Sequence, residues 1–532
     1  MTDFTMKTDA DGIATITWDV ADKSMNVMSI DGLTELSDCM DAALADDAVK
    51  GIIITSGKPG SFAGGMDLNL LAKMREDAGD DPAKGLFEGT MKMHHLLRKI
   101  ERASVLPGTA AGIGLELPLA THRIFAANNP KARIGLPEIQ VGIFPGAGGT
   151  TRLVRMLGAM AASPLLLEGK MLAPDAAKKT GIIHEVSDDP RADARAWVLS
   201  AKDADILKPW DAKGYKMPGG APYHPAGFMT FVGAAKALLS AVYEGALVPF
   251  DTALKIEARW FTSVLLNPTS SAMIRSLFLN KEALEKGAVR PEGIPDQRVK
   301  KLGVLGAGMM GAGIALVSAQ AGIEVVLIDR DQAAADKGKA YAESYMDKGI
   351  ARKKATPEKK EALLSLITAT PDLDALKGCD LIIEAVFEDP KVKAEMTQRV
   401  EAVIPEDCIF ASNTSTLPIT DLARASARPE QFVGIHFFSP VDKMPLVEII
   451  CGEKTSDETL ARAYDYARQI RKTPIVVNDS LGFFTSRTFG TYLDEGVRMV
   501  KEGLHPVLVE NMGKAVGMPV GPLAVYDEVS LE

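Results

Sequence analysis

Residues 304–331 read VLGAGMMGAGIALVSAQAGIEVVLIDRD. A short apolar run meets glycines at 306, 308 and 311. A helical pattern follows, and the strand-like EVVLID then ends on Asp329, eighteen residues after Gly311. This order of strand, glycine turn, helix and acid-tipped strand is that of a dinucleotide site. Gly306 and Gly308 permit a tight turn and close backbone approach to a pyrophosphate. The helix start at Met309, Met310 and Gly311 offers free N–H groups to its phosphates. Asp329 would accept hydrogen bonds from ribose hydroxyls and repel a 2′-phosphate, which favours NAD as cofactor over NADP. An ordinary buried turn is the competing reading, and the flanking strands and helix weigh against it.

Almost 300 residues precede this unit in a chain of 532, enough for two to four domains. Hydrophobic residues make up 46% and charged residues 24%, an ordinary globular balance. The net charge of −10 argues against a nucleic-acid surface and for a cytoplasmic protein. Cys39, Cys379, Cys408 and Cys451 form no CxxC pair, and no HExxH occurs, so no metal site is indicated. The sequence contains no apolar run long enough for a membrane span and no signal core at its start.

The chain alternates in the α/β manner from its start. GIATITWDV reads as a strand, and residues 29–47 read as a helix capped by Ser29 or Asp31. VKGIIITSG reads as a second strand. Residues 214–228, rich in Gly, Pro and aromatics, read as loop, and residues 233–288 as helical. KGAVRPEGIPDQR, residues 286–298, marks a boundary. The expected domains are 1–190, a helical extension and linker over 191–297, a Rossmann domain over 298–478, and a helical segment over 479–532.

In GIHFFSPVDKMPLVEII, residues 434–450, His436 and Glu448 lie twelve apart across a proline turn between apolar stretches. A carboxylate that supports the imidazolium makes such a histidine a base. From these two residues alone, a surface histidine beside a surface glutamate is the favoured reading. With GVLGAGMMGAGIA, IIEAVFEDPKVK, FASNTSTLPI and GFFTSR, however, the region resembles the L-3-hydroxyacyl-CoA dehydrogenase family over most of residues 300–490. The resemblance implies that His436 is the catalytic base and Glu448 its partner. It places Glu388 and Lys393 at cofactor and substrate, and Ser415 near the substrate hydroxyl. Ser486 stands where the family often has asparagine, a shorter reach for the same hydrogen bond.

In the first half, Glu116 and Glu138 each sit among apolar residues, glycines and prolines, in GTAAGIGLELP and IGLPEIQVGIFPGAGGT. Apolar surroundings raise a carboxyl pKa, and two such groups can divide acid and base roles. Solvated helix caps are the alternative for either residue alone. Residues 10–190 resemble the crotonase (enoyl-CoA hydratase/isomerase) superfamily. That resemblance implies an oxyanion hole from the N–H groups of Met66, in SFAGGMDL, and Ile113. It also maps Glu116 and Glu138 onto the two hydratase glutamates. Two departures stand out. Ile113 replaces a usual glycine, and the strand expected before the second turn is shortened to SVL within KIERASVLPGTAAG. FMTFVGAAKALLSA has a similarly abbreviated look.

The expected fold class is therefore α/β multidomain: a crotonase-like domain, a Rossmann domain, and the start of an all-α dehydrogenase domain. The last reads as incomplete, since VGMPVGPLAVYDEVSLE stops inside a helical pattern. The two resemblances together imply a β-oxidation enzyme that hydrates trans-2-enoyl-CoA and oxidises the L-3-hydroxyacyl-CoA with NAD. They imply an acyl-CoA thioester substrate, and either a homodimer or a thiolase subunit as assembly partner. Two alternatives stay open: a single working module, with the crotonase half an isomerase or inactive, and a non-catalytic acyl-CoA or NAD binding subunit. Acyl chain length is not legible, because pocket walls come from dispersed apolar residues.

Overall fold

The computed structural model describes residues 2–66, 79–103, 106–111, 115–222 and 233–529. The chain divides into two compact units, one built from residues 1–280 and 515–517 and the other from residues 281–514 and 518–532.

The first unit is ordered by one six-stranded sheet: β1 (Phe4–Thr8), β2 (Ile13–Trp18), β3 (Gly51–Ser56), β4 (Leu106–Ala111), β5 (Arg123–Ala127) and β6 (Glu185–Ser187), side by side in that order. β1 and β2 form an antiparallel hairpin, and every later pairing is parallel. GIIITS of β3 is buried almost throughout, as a parallel strand covered on both faces must be. Ser29 caps the helix Ile30–Ala45, its hydroxyl accepting the Gly32 N–H at 2.9 Å. Ser29, not Asp31, is thus the cap.

The shortened strand is corrected here. β4 is present, paired in parallel to both β3 and β5. It is made from Leu106–Ala111, of which the sequence reading leaves only Leu106 in the strand. Pro107 reads as a strand breaker, and that hides the strand. In the stretch 214–246, residues 223–232 lie outside the described residues, and the helix Gly233–Ala246 follows. Together with the helix Phe250–Leu266 it enters the first unit's core, where Leu238, Val242 and Phe261 pack with Ile124, Phe144 and Leu153.

The second unit is ordered by an eight-stranded sheet, in the order β14 (Thr473–Asn478), β13 (Leu446–Cys451), β12 (Phe432–Phe437), β11 (Ile409–Ser412), β10 (Leu381–Glu384), β7 (Lys301–Leu305), β8 (Glu324–Ile328) and β9 (Ile367–Thr370). All pairings are parallel except β12 with β13. From β7 the chain first adds β8 and β9 on one side, then β10 and β11 on the other. The order thus reverses between β7 and β10, and ligands bind at such a crevice in doubly wound sheets. The helices Thr485–Lys501, Pro506–Ala515 and Pro522–Val529 follow β14.

Candidate active sites

In the first unit, Glu116 opens the short helix Glu116–Ala120 directly beyond β4. Its Oε1 accepts two backbone hydrogen bonds, from Ala147 N–H at 2.9 Å and Gly149 N–H at 2.8 Å. The turn PGAGG is therefore folded over the carboxylate. A Cβ on Gly149 would stand 2.7 Å from Glu116 Oε1, so only glycine fits there. Glu138 opens the 3-10 turn Glu138–Val141. Its Oε2 is buried without a hydrogen-bond partner. Burial, reinforced by the charge of Glu116, pushes the Glu138 carboxyl up to about 8. Burial also raises Glu116, against the pull of the Gly149 and Ala147 amides and the charge of Arg152. The two carboxyls lie close enough to act on each other, and Glu138 holds the proton.

Met66 ends the other turn, bridged in parallel to Met28, whose N–H donates to Gly65 O at 2.8 Å. Ile113 lies outside the described residues. Sequence reasoning missed the residue that holds the first turn. Fully buried Asn26 donates to Trp18 O at 2.8 Å, Ser56 Oγ at 3.0 Å and Phe62 O at 2.9 Å, and accepts the Val20 N–H at 3.0 Å. The only sequence signal for it is an isolated asparagine between two apolar stretches.

In the second unit, Gly306 takes φ +93°, and a Cβ there would stand 2.6 Å from Ala385 O at the end of β10. A Cβ on Gly311 would stand 1.8 Å from Gly306 O. Gly308 caps the helix Met309–Gln320 and has open space where its Cβ would be. The first intrahelical bond runs from Ala312 N–H to Gly308 O, so the amides of Met309, Met310 and Gly311 precede it. Met309 is exposed, whereas Met310 packs on the core. Asp329 lies just beyond β8, and its Oδ2 accepts the Ala307 N–H at 2.7 Å, which ties the acid to the glycine turn. The cradle fits a dinucleotide: an open glycine at the helix start, flanked by an acid at the next strand end.

His436 and Glu448 are direct cross-strand partners on the antiparallel pair β12 and β13. His436 Nδ1 lies 2.7 Å from Glu448 Oε2, and both side chains are buried. Thr485 N–H and Phe484 N–H donate to Glu448 Oε1 at 2.9 and 3.3 Å, and Thr485 Oγ1 donates to Oε2 at 2.7 Å. Burial alone would raise this carboxyl, but the hydrogen bonds of His436 and Thr485 outweigh it and hold Glu448 below its ordinary value. Phe438 and Phe483 flank the imidazole.

Glu388 accepts hydrogen bonds from Thr414 Oγ1 and, at 3.2 Å, from Ser415 N–H. Lys393 is almost wholly buried, its ammonium divided between Glu388 at 3.1 Å and Glu384 at 2.9 Å. Ser486 Oγ donates to Ser415 O at 3.3 Å. Glu388, Lys393, Ser415 and Ser486 thus form one connected group. Sequence reasoning missed Glu384, the buried acid beneath it, which also accepts Ser412 Oγ at 2.7 Å.

Comparison with known proteins agrees with both halves. The family model for enoyl-CoA hydratase/isomerase matches residues 8–201. That for the 3-hydroxyacyl-CoA dehydrogenase NAD binding domain matches residues 301–480, and that for its C-terminal domain matches 482–532. Similar relatives include the fatty acid oxidation complex subunit alpha of Shewanella halifaxensis, 36% identical over 98% of this chain and 75% of the relative. The same subunit of Shewanella amazonensis is 34% identical over 99% and 76%. The crystal structure of (S)-3-hydroxybutyryl-CoA dehydrogenase PaaH1 from Ralstonia eutropha is 37% identical over 44% of this chain and 83% of that one, with a TM-score of 0.43. Fold and sites define a two-reaction enzyme, an enoyl-CoA hydratase joined to an NAD-dependent 3-hydroxyacyl-CoA dehydrogenase. The chain belongs to the family of fatty acid oxidation complex alpha subunits. It acts in fatty-acid β-oxidation, turning trans-2-enoyl-CoA into L-3-hydroxyacyl-CoA and that into 3-ketoacyl-CoA with NAD as cofactor.

The turn over Glu116 yields a first prediction. Gly149→Ala puts a methyl group where Glu116 Oε1 sits, and should cut hydration about 100-fold while leaving oxidation of a 3-hydroxyacyl-CoA unchanged. Hydration at the wild-type rate would mean that the turn does not set the carboxylate.

Proposed function

We propose that Glu116 and Glu138 carry the hydration and His436 with Glu448 the oxidation. The observation that carries this reading is the state of the four groups. The carboxyl of Glu138 is buried and kept protonated, Glu116 is held by two amides, and Glu448 is held ionised against the ring of His436. The enoyl thioester oxygen accepts the N–H groups of Met66 and Ile113. Glu116 takes a proton from water as its oxygen attacks C3, and Glu138 gives its proton to C2. In the second site Nδ1 of His436 is engaged by Glu448, so the substrate hydroxyl gives its proton to Nε2. Glu448 stabilises the imidazolium that results. Ser415 and Ser486 orient the hydroxyl, and Glu388 with Lys393 fixes the loop that carries Ser415. NAD, when bound, would accept the hydride that leaves C3; the amides of Met309, Met310 and Gly311 would hold its pyrophosphate and Asp329 its ribose.

A cavity of about 910 Å³ in the second unit supports a CoA thioester as substrate. Tyr345, Lys348, Arg352, Lys354 and Lys443 line it, a basic and aromatic wall suited to a phosphorylated adenosine. A thiolase subunit suits the enzyme as partner, since its product is a 3-ketoacyl-CoA; the relatives' name, complex subunit alpha, favours such an assembly over a homodimer. A cytoplasmic setting is supported by the net charge of −10 and four free cysteines.

Glu116→Gln should lower hydration at least 1,000-fold and leave oxidation intact, whereas His436→Gln should do the reverse, both on the order of a lost general base or more. Separate assays of the two half-reactions check this, and either variant impairing the other reaction contradicts the assignment. The pH dependence follows from Glu138. Its folded pKa lies above that of a free carboxyl, so the proton and its contribution to stability are present at low pH and are lost as pH rises through about 8. Hydration measured against pH should therefore fall above about 8. A rate still rising beyond that pH would remove Glu138 as the acid.

A further inference from the structure

The turn over Glu116 has a second side. Backbone N–H groups at 147 and 149 go to Glu116, but the one between them does not. Gly148 N–H donates to Glu257 Oε1 at 2.7 Å. Thr151 N–H and Thr151 Oγ1 donate to Glu257 Oε2 at 2.8 and 2.6 Å. Glu257 comes from the helix Phe250–Leu266, more than a hundred residues further along the chain, and is 1% exposed. The helix Gly149–Leu157 begins at this turn, and its own N-cap, Gly148, has no side chain to offer. Glu257 therefore caps it from another element.

The surrounding groups leave this as the carboxylate's task. His94, 3.9 Å away, is driven down to about 3 by burial and is neutral, with Nε2 2.7 Å from Gly146 O. Arg152 spends Nε on Glu101 at 2.8 Å and Nη1 on Ala147 O at 3.1 Å. The turn is thus gripped between two carboxylates by alternate amides. It cannot shift toward or away from Glu116 without breaking its bonds to Glu257.

We propose that Glu257 is a positioning residue of the hydration site, fixing the 145–149 turn through the amide that lies between the two held by Glu116, and so setting where Glu116 holds the attacking water. The inference rests on Glu116 being the hydration base.

The test uses the full chain and steady-state hydration of crotonyl-CoA. Glu257→Ala should lower kcat about 10- to 100-fold with KM within about twofold of wild type, the mark of a misaligned reacting group rather than lost binding. Glu257→Gln, which keeps one oxygen acceptor but turns an amide toward a donor, should fall between wild type and Glu257→Ala. Oxidation of L-3-hydroxybutyryl-CoA should be unchanged. All four tryptophans lie within residues 1–280, so their fluorescence reports whether the first unit has folded. If Glu257→Ala does not fold, Thr151→Val decides, since it removes only the 2.6 Å hydroxyl bond. A drop of about 2- to 5-fold in kcat at constant KM supports the inference. Unchanged kcat in a folded Glu257→Ala, or in Thr151→Val where that variant is needed, overturns it, as does a loss confined to KM. Glu116→Gln run alongside separates the failures: if it hydrates normally, the reading of Glu116 falls first.

Discussion

Both candidate sites depend on burying a carboxylate without losing control of its charge. Taking such an ion out of water costs several kcal/mol unless hydrogen-bond donors replace the solvent. The protein supplies those donors from its backbone. Glu116 receives the amides of Ala147 and Gly149, and Glu448 receives those of Phe484 and Thr485. Glu138 has an oxygen with no partner and a charged neighbour, and its carboxyl is correspondingly weak as an acid. The division between the two carboxyls is therefore made by burial, by the charge of Glu116 acting on Glu138, and by the amides of Ala147 and Gly149 that reach Glu116.

The same economy explains the placement of the second site. β12 and β13 are the one antiparallel pair in an otherwise parallel sheet. Antiparallel register sets His436 directly opposite Glu448 and lets their side chains meet on one face. The helix beginning at Thr485 then points its first amides at the far oxygen of the same carboxylate. On the other side of β11, Lys393 lies between Glu384 and Glu388, and Glu388 in turn grips Thr414 and Ser415. A buried lysine shared by two carboxylates is tolerated because Lys393, Glu384 and Glu388 each have a partner.

Local features were legible in the sequence. The glycine turn at 306–311 and the acid at 329 fall within one strand–turn–helix unit, so their spacing predicts their meeting. The His436–Glu448 pair was legible only through the family resemblance, since its spacing alone fits a surface pair as well. Glu116 and Glu138 were marked by the glycines and prolines around them. Residues whose partners lie far along the chain were not legible. Glu257 sits in an amphipathic helix like any solvated glutamate, and its partners are 106 and 109 residues away. Asn26 and Glu384 are single polar residues among apolar neighbours. The strand at 106–111 was hidden because Pro107 and Gly108 read as a turn, whereas pairing to β3 and β5 outweighs both.

The central claim is that one chain performs two consecutive reactions at two separate sites. Its most direct test is NADH absorbance after mixing the protein with NAD and crotonyl-CoA, with L-3-hydroxybutyryl-CoA as the parallel substrate. The account predicts NADH from both, with a lag only from crotonyl-CoA while the hydroxyl is being made. NADH from the hydroxy substrate alone, or from neither, would contradict it.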